Sequence, residues 1–171
     1  MKRVVVFWLI FAGMIGADQA IKAWARMAAD GTEGNTFFPL WPGVFEFTLK
    51  YNEGVAFGML SGFGKALWPI AVIITAACAY MNYKQDKEPM SIHVGLGLVA
   101  SGAVGNLIDR LWLGKVTDMF HFRLIDFPVF NWADSCITVG AGLLILVWGM
   151  QSMHSKSPAP VNHESDPPLP S

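Results

Sequence analysis

Two aspartates in the last third of the chain, Asp118 and Asp134, lie beside apolar sequence, and an apolar run of residues 137–150 begins just after the second. Ionisable groups at the margin of a lipid-embedded segment are costly and usually mark a functional site. When two carboxylates approach closely they cannot both ionise, so one keeps its proton while the other acts as a base. The pair is therefore a candidate for acid–base catalysis of hydrolysis.

Both aspartates also have a structural interpretation. Asp134 and Ser135 are placed to cap a helix that starts there, and Asp118 is close in sequence to Lys115 and Arg123 as ion-pair partners. In the catalytic interpretation, the N-terminal end of a helix favours the ionised form of Asp134, so Asp118 holds the proton. The spacing alone leaves the structural and the catalytic interpretations open.

The composition indicates a membrane protein of one domain. Of the 171 residues, 53% are hydrophobic and only 15% are charged, against about 25% charged in ordinary soluble domains, and the mean hydropathy is +0.41. The formal net charge of −1 argues against nucleic-acid binding. Cys78 and Cys136 lie in apolar runs and predict buried free thiols, while the four histidines have no metal-ligand spacing. We expect no metal and no cofactor.

Four apolar runs predict four transmembrane helices, at about residues 4–24, 66–83, 91–108 and 135–151. The first run follows a short basic head, which is also typical of a cleaved signal peptide. Because the helical pattern continues past residue 17, we expect a retained span. The polar, proline-rich residues 152–171 predict a disordered cytoplasmic tail that follows one domain at residues 1–151.

A small β region is expected between the first two spans, at about residues 30–63. Residues 44–51 alternate apolar and polar side chains, which is the pattern of a half-buried strand. Asn52, Glu53 and Gly54 then provide turn chemistry. Residues 111–133 predict a loop. The fold class is thus a mainly helical polytopic membrane protein with a small extracytoplasmic sheet.

Two polar pairs at i, i+4 spacing accompany the acids, Asp18 with Lys22 and Asn106 with Arg110. Residues at this spacing share one helix face. Four spans put both termini on one side of the membrane, and the basic residues near the termini and the second link favour the cytoplasm for that side, against Lys50, Lys65, Arg110, Lys115 and Arg123 on the other. All the polar candidates then lie at the outer face. The third run also has two small residues that permit close approach of a helix or ligand, Gly102 and Gly105.

Five segments together resemble bacterial lipoprotein signal peptidase (signal peptidase II). They are residues 18–22 (DQAIK), 51–58 (YNEGVAFG), 102–110 (GAVGNLIDR), 116–118 (VTD) and 130–135 (FNWADS), in the order found in that family. The resemblance spans roughly residues 4 to 151. Met119 departs from the family, which usually has an aromatic residue after the first catalytic acid.

The resemblance implies an aspartic endopeptidase of the bacterial inner membrane with an outer β-cradle. The family removes the signal peptide from prolipoproteins, cleaving before a cysteine that carries diacylglycerol, and is the target of the cyclic peptide globomycin. It implies catalytic roles for Asp118 and Asp134. Further residues implied to line or shape the substrate site are Asn52, Gly54, Asn106, Arg110 and Asn131, and the supporting residues are Asp18, Lys22, Gly102, Gly105 and Ala133.

Two other functions use the same polar residues. A small proton- or ion-coupled transporter would carry protons on the two acids, and a membrane assembly factor would tolerate their loss. The chain has no internal repeat of the kind that marks many transporters, and the acids are not expected at mid-membrane depth. Both features favour the peptidase.

Overall fold

The computed structural model of the protein describes residues 2–54 and 68–155. Parts of the expected β region (55–63), of the second span (66 and 67) and of the tail (156–171) lie outside these residues. Within the described ranges the elements are α1 (Lys2–Ala28), β1 (Thr36–Trp41), β2 (Phe45–Asn52), α2 (Trp68–Lys84), α3 (Met90–Trp112), β3 (Val116–Phe122) and α4 (Trp132–Ser155). The predicted mainly helical fold with a small sheet is confirmed.

Helix α3 occupies the centre of the bundle and packs against α1, α2 and α4. The core between the helices is built from side chains of all four, namely Phe7, Cys78, Ile92, Leu96, Ala100 and Leu144. Small residues on α3 let its neighbours approach closely, as in other membrane bundles. The central helix therefore reaches every other helix directly.

Within residues 2–54 and 68–155, three helices are long and apolar enough to cross a membrane: Lys2–Ala28, Met90–Trp112 and Trp132–Met153. The outward faces of α1 and α4 carry large exposed apolar side chains such as Leu9, Val139 and Ile145, which suits contact with lipid tails. Helix α2 has 17 residues in the described part of the chain. A fourth span therefore remains a prediction.

The three strands form one antiparallel sheet in the order β1-β2-β3. Strand β2 matches the strand predicted at residues 44–51. Strand β3 corrects the prediction of a loop over residues 111–133, and it pairs with β2 from Phe45↔Phe122 to Asn52↔Val116. The first four residues of β3 are all buried, so the sequence there has no alternation of apolar and polar residues.

The sheet is attached to one end of the helical bundle. The Trp24 ring at the end of α1 makes edge contacts with Phe37 and Phe47, with ring centroids 5.3 and 5.6 Å apart. A short turn leads from the end of α3 into β3. Helix α4 starts at Trp132, a few residues before the expected 135, so Asp134 lies inside its first turn.

Candidate active site

Asp118 is a buried residue of strand β3. Only 2% of its surface is exposed, and it pairs in the sheet with Lys50 of β2. Asn131 Nδ2 donates a hydrogen bond of 2.6 Å to Asp118 Oδ1. Burial, assisted by the nearby Asp134 carboxylate, raises the pKa of Asp118 to about 7. Among the described residues no ion pair joins it to Lys115 or Arg123, so this carboxyl is able to hold a proton near neutral pH.

Asp134 is the third residue of helix α4 and forms a capping box with Asn131. Asn131 Oδ1 accepts a hydrogen bond from the Asp134 N–H at 2.9 Å, and Asp134 Oδ2 accepts one from the Asn131 N–H at 3.2 Å. This reciprocal pairing satisfies two N–H groups at the helix start. The capping and catalytic interpretations are therefore compatible, since the cap uses only Oδ2 of the Asp134 carboxylate.

Two asparagines connect the acids. Asn106 Nδ2 donates to Asp134 Oδ1 at 2.7 Å, and Asn131 Nδ2 donates both to Asp118 Oδ1 and, at 3.1 Å, to Asn106 Oδ1. Asp118, on the sheet, and Asp134, on a helix, are thus held in one hydrogen-bonded network. Such a network fixes the relative position of groups on separate elements.

A buried lysine supports this network from helix α1. Lys22 is fully buried, and its Nζ lies 2.9 Å from Asp18 Oδ2 and 3.0 Å from Asn106 Oδ1. An ammonium only donates hydrogen bonds. The Asn106 carbonyl oxygen must therefore face Lys22, which turns the Asn106 amide nitrogen towards Asp134.

The second oxygen of Asp18 contacts the start of helix α4. Asp18 Oδ1 accepts a hydrogen bond of 3.0 Å from the Ala133 N–H, and this end of a helix attracts negative charge. The predicted Asp18–Lys22 pair is confirmed as a contact, but it does more than anchor one helix. It joins α1 both to α3, through Asn106, and to α4.

Glycines of α3 make room for these contacts. A Cβ on Gly105 would lie 2.6 Å from Asp18 Oδ2, and a Cβ on Gly102 would collide with the carbonyl oxygen of Ala133. A side chain at either position would push α4 or the Asp18 carboxylate away. The close approach expected from these small residues is therefore present between α3 and its neighbours.

Asn52, Gly54 and Arg110 form the third side of the site. Asn52 Oδ1 accepts a hydrogen bond of 2.9 Å from the Gly54 N–H, which closes a tight turn after β2. Arg110 Nη2 donates to the Gly54 carbonyl at 3.0 Å. The arginine thereby ties the turn to α3, and all the residues predicted for the site lie in this region of the molecule.

Asp109 is not among the residues predicted for the site, yet it belongs to the support. Its Oδ2 accepts a hydrogen bond of 2.8 Å from the Thr117 N–H, one residue before Asp118, and lies 3.6 Å from Lys22 Nζ. Arg26 also donates to Thr117 Oγ1 at 2.9 Å. The sequence shows only that Asp109 is three residues after Asn106 on the same helix, because its contact with Lys22 depends on how α1 packs against α3.

A cavity of about 620 Å³ opens beside the acids; we call it the inner cavity. Its polar lining includes Asp118, Asp134 and Arg110, and also Ser135 and Thr138 of α4. The apolar lining comes from α4, the end of β3 and the loop between them, with lining residues Ile137, Val139, Phe122, Phe127, Pro128, Val129 and Phe130. A ligand with an apolar and a polar part fits this division.

A second cavity of about 650 Å³, the outer groove, lies on the other side of the turn at residues 52–54. Its lining is more polar and includes Glu33, Lys50, Tyr51 and Glu53. Both cavities share a border formed by Asn52, Asp118, Phe127, Pro128 and Val129. Asp118 can therefore be reached from either cavity.

The chemistry available here is that of a carboxyl and a carboxylate acting together. His121 contacts Thr48 in the sheet, and Cys136 is buried in α4, so neither contributes a nucleophile–base pair in the described part of the chain. Two close acids with one proton can activate water and protonate a leaving group. The fold and the site define a membrane protein of the aspartic hydrolase class.

Comparison with known proteins gives the family. The family model described as signal peptidase (SPase) II matches residues 10–149. A lipoprotein signal peptidase of Gloeobacter violaceus is 38% identical over 93% of this chain and 89% of its own length, and one of Desulfitobacterium hafniense is 42% identical over 64% and 72%. The chain belongs to the signal peptidase II family.

Solved structures agree with this assignment. A bacterial membrane enzyme determined by the in meso method at 2.3 Å resolution superposes with a TM-score of 0.81, at 31% identity over 90% of this chain and 93% of that one. A second, at 1.9 Å resolution, has a TM-score of 0.73 at 32% identity over 84% and 92%. The fold described above is thus shared with membrane enzymes.

Proposed function

We propose that this protein is an aspartic endopeptidase that removes the signal peptide from diacylglyceryl-modified prolipoproteins, cleaving before the lipidated cysteine. Besides membership of the family, one structural observation supports the proposal. Asp118 and Asp134 are joined through Asn106 and Asn131, and both line a cavity that also has apolar side chains of a membrane-length helix in its wall. A lipidated peptide has the same division into apolar and polar parts.

In the proposed reaction the acids share one proton. Asp134 takes a proton from water as the water oxygen bonds to the scissile carbonyl carbon, and Asp118 gives its proton to the carbonyl oxygen. The C–N bond then breaks as Asp134 passes its proton to the nitrogen. Asp118 recovers a proton from the hydroxyl as the new carboxyl forms. The products are a signal peptide and a lipoprotein with a free amine, and the raised pKa of Asp118 supports its role as the acid.

The surrounding residues have roles in substrate binding in this proposal. Asn106 and Asn131 hold the two acids, while Asn52, Gly54 and Arg110 border the path of the substrate backbone. Asp18, Lys22, Gly102, Gly105 and Ala133 support them from behind. Cyclic peptides of the globomycin type would inhibit by occupying the inner cavity beside the acids.

We place the protein in the bacterial cytoplasmic membrane with four spans, both termini cytoplasmic and the site at the outer face. Arg3 Nη1 donates to the carbonyls of Lys87 and Glu88 at 2.7 and 2.9 Å, and Gln151 Nε2 donates to Glu88 Oε2 at 2.7 Å. The start of α1, the α2–α3 link and the end of α4 therefore meet at the end of the bundle away from the sheet. That end carries Lys2, Arg3, Lys84 and Lys87, as the positive-inside rule requires.

The test is cleavage of a diacylated prolipoprotein by the purified protein. We expect Asp118→Asn and Asp134→Asn to reduce cleavage to background while the protein stays folded, and globomycin to inhibit the native protein. The matched control is Asp30→Asn, an exposed aspartate at φ +51°, where asparagine is well tolerated. Full activity of either site variant, or proton flux without cleavage by the native protein, would contradict the proposal.

A further inference from the structure

The outer groove is a built cavity that the catalytic proposal does not use. One wall is the end of β2 and the turn that follows it, with Lys50, Tyr51 and Glu53, and Glu33 lies beside them. The opposite wall is the loop at residues 127–129. Because this loop also lines the inner cavity, a chain that lies across Asp118 passes from one cavity into the other.

The edge of strand β2 that faces this groove is paired as far as Leu49. Strand β1 covers it to the pair Thr36↔Thr48, and Leu49 bonds through its N–H to the Asn35 carbonyl and through its own carbonyl to the Gly34 N–H. Beyond it, the Tyr51 N–H donates to the side chain of Glu33, with N and Oε1 3.4 Å apart. That bond is long for an N–H···O contact, so an extended peptide has an edge to pair with once the carboxylate moves aside.

Of the charged residues in the groove, Glu33 and Lys50 form an ion pair and Glu53, in the described part of the chain, does not. Lys50 Nζ lies 2.9 Å from Glu33 Oε1, and this hydrogen bond, followed by the Tyr51 N–H and the charge of Lys115, lowers the pKa of Glu33. Lys115 itself stands 3.7 Å from the centre of the Tyr51 ring. Glu53 forms no ion pair with any described residue. Within the described residues it is therefore the exposed carboxylate of the groove without an ion-pair partner, whereas Asp118 is buried.

The position of Glu53 is fixed by its neighbours. Asn52 and Gly54 are held by the hydrogen bond that closes their turn, and Arg110 holds the Gly54 carbonyl from the side of the inner cavity. Glu53 is the residue between them and is exposed. A single flexible side chain on a fixed backbone can select for charge without disturbing the acids.

We propose that the outer groove binds the residues that follow the lipidated cysteine, and that Glu53 makes it favour a basic side chain there. The inference rests on the proposed function, because it takes the scissile bond to lie at Asp118. The apolar inner cavity suits the signal peptide and the lipid. The polar outer groove suits the mature part of the prolipoprotein, which pairs in extended form with the end of β2 at Tyr51.

The experiment uses diacylated prolipoprotein peptides that differ only in carrying Lys, Gln or Glu at each of the three positions after the cysteine. The readout is the ratio of kcat/KM for the Lys peptide to that for the Glu peptide. For the native protein we expect a ratio of about three at the most sensitive position, as for one exposed charge pair. Glu53→Gln should bring the ratio to about one, and Glu53→Lys should invert it.

The matched control is Glu46→Lys, which makes the same charge change at the far end of β2, where Glu46 pairs with Arg123. Its ratio should equal that of the native protein. An unchanged ratio in Glu53→Lys, or an equal change in Glu46→Lys, would overturn the assignment of the groove. Cleavage of the Gln peptide reports separately on the proposed function, and its absence in the native protein would overturn both proposals.

Discussion

The two ends of the helical bundle both bury polar side chains, but they satisfy them differently. At the end next to the sheet, Lys22 Nζ has oxygen atoms of Asp18, Asn106 and Asp109 within 3.6 Å. At the opposite end, the buried Asn82 and His93 are 2.7 Å apart through Oδ1 and Nδ1. In the described part of the chain each end also has two buried atoms without a hydrogen-bond partner: His93 Nε2 and Gln85 Oε1 here, and Arg110 Nε and Trp132 Nε1 next to the sheet.

The difference lies in how many elements each group of contacts connects. The contacts around Lys22 reach α1, α3 and, through Ala133 and Thr117, α4 and β3. The contact between Asn82 and His93 connects only α2 with α3. A fully connected polar network defines positions, whereas a single buried pair mainly selects which helices pack together. The end next to the sheet is therefore where the geometry of the acids is determined.

The largest expected effect is that of Lys22→Met. Removing the cation leaves Asp18 and Asp109 buried without its charge, and breaking a buried ion pair in this way costs about 3–5 kcal/mol of unfolding free energy. Unfolding of purified protein in detergent measures the loss. The control is Lys50→Met, whose partner Glu33 is exposed and which should cost at most about 1 kcal/mol. Equal losses in the two variants would contradict the central place of Lys22.

The next effect is on activity and concerns Asn106→Leu. The change removes the donor to Asp134 Oδ1 and the acceptor for Lys22. We expect kcat/KM for a lipidated prolipoprotein to fall by about a hundredfold, as when one preorganised donor of an active site is removed. Asn35→Ala, an asparagine bonded to the Ala29 carbonyl near the sheet, is the control and should stay within twofold of the native value. A loss below threefold in Asn106→Leu would exclude the role given to this amide.

At the opposite end, Asn82→Leu should affect stability alone. The change leaves His93 Nδ1 buried without its partner, at a cost of about 1–3 kcal/mol. Activity per folded molecule should not change. The double variant Asn82→Leu with His93→Leu should recover much of the stability, because replacing both partners by apolar groups is nearly neutral. A drop in kcat/KM for the single variant would show that the two ends are coupled.

At neutral pH the smallest effect is the response of activity to pH. The protonated form of Asp118 is the proposed acid, and it is present below its pKa of about 7. As pH rises through this value the carboxyl ionises, so kcat/KM should halve near pH 7 and then fall about tenfold per pH unit. The apparent value belongs to the pair of acids. A profile of cleavage rate against pH that stays flat to pH 9 would contradict this proton assignment. The control is Glu33→Gln, which should leave the fall in kcat/KM above pH 7 unchanged.

The sequence predicted those features of the fold and site that depend on near neighbours. The Asp18–Lys22 contact follows from helical spacing, and β2 follows from the alternation at residues 44–51. Strand β3 could not be predicted in this way, because Val116 to Met119 are buried together beneath the helices. The support given by Asp109 was also hidden, since it depends on how α1 packs against α3. The acids were identified as a pair mainly through the family resemblance.

A backbone bridge at the base of the loop between Asp118 and Asp134 keeps the geometry of the site independent of the length of that loop. Phe120 and Phe130 form a bridge, with both the Met119 and Phe120 N–H groups bonded to the Phe130 carbonyl. Asn131 follows at once and serves as both the helix cap and the donor to Asp118. The intervening loop is closed at its base, so residues can be inserted or deleted at 124–126, away from the cavity-lining residues 127–129, at a modest entropic cost. The number of residues between the acids is therefore free to drift in evolution, while the distance between their carboxyl groups is not.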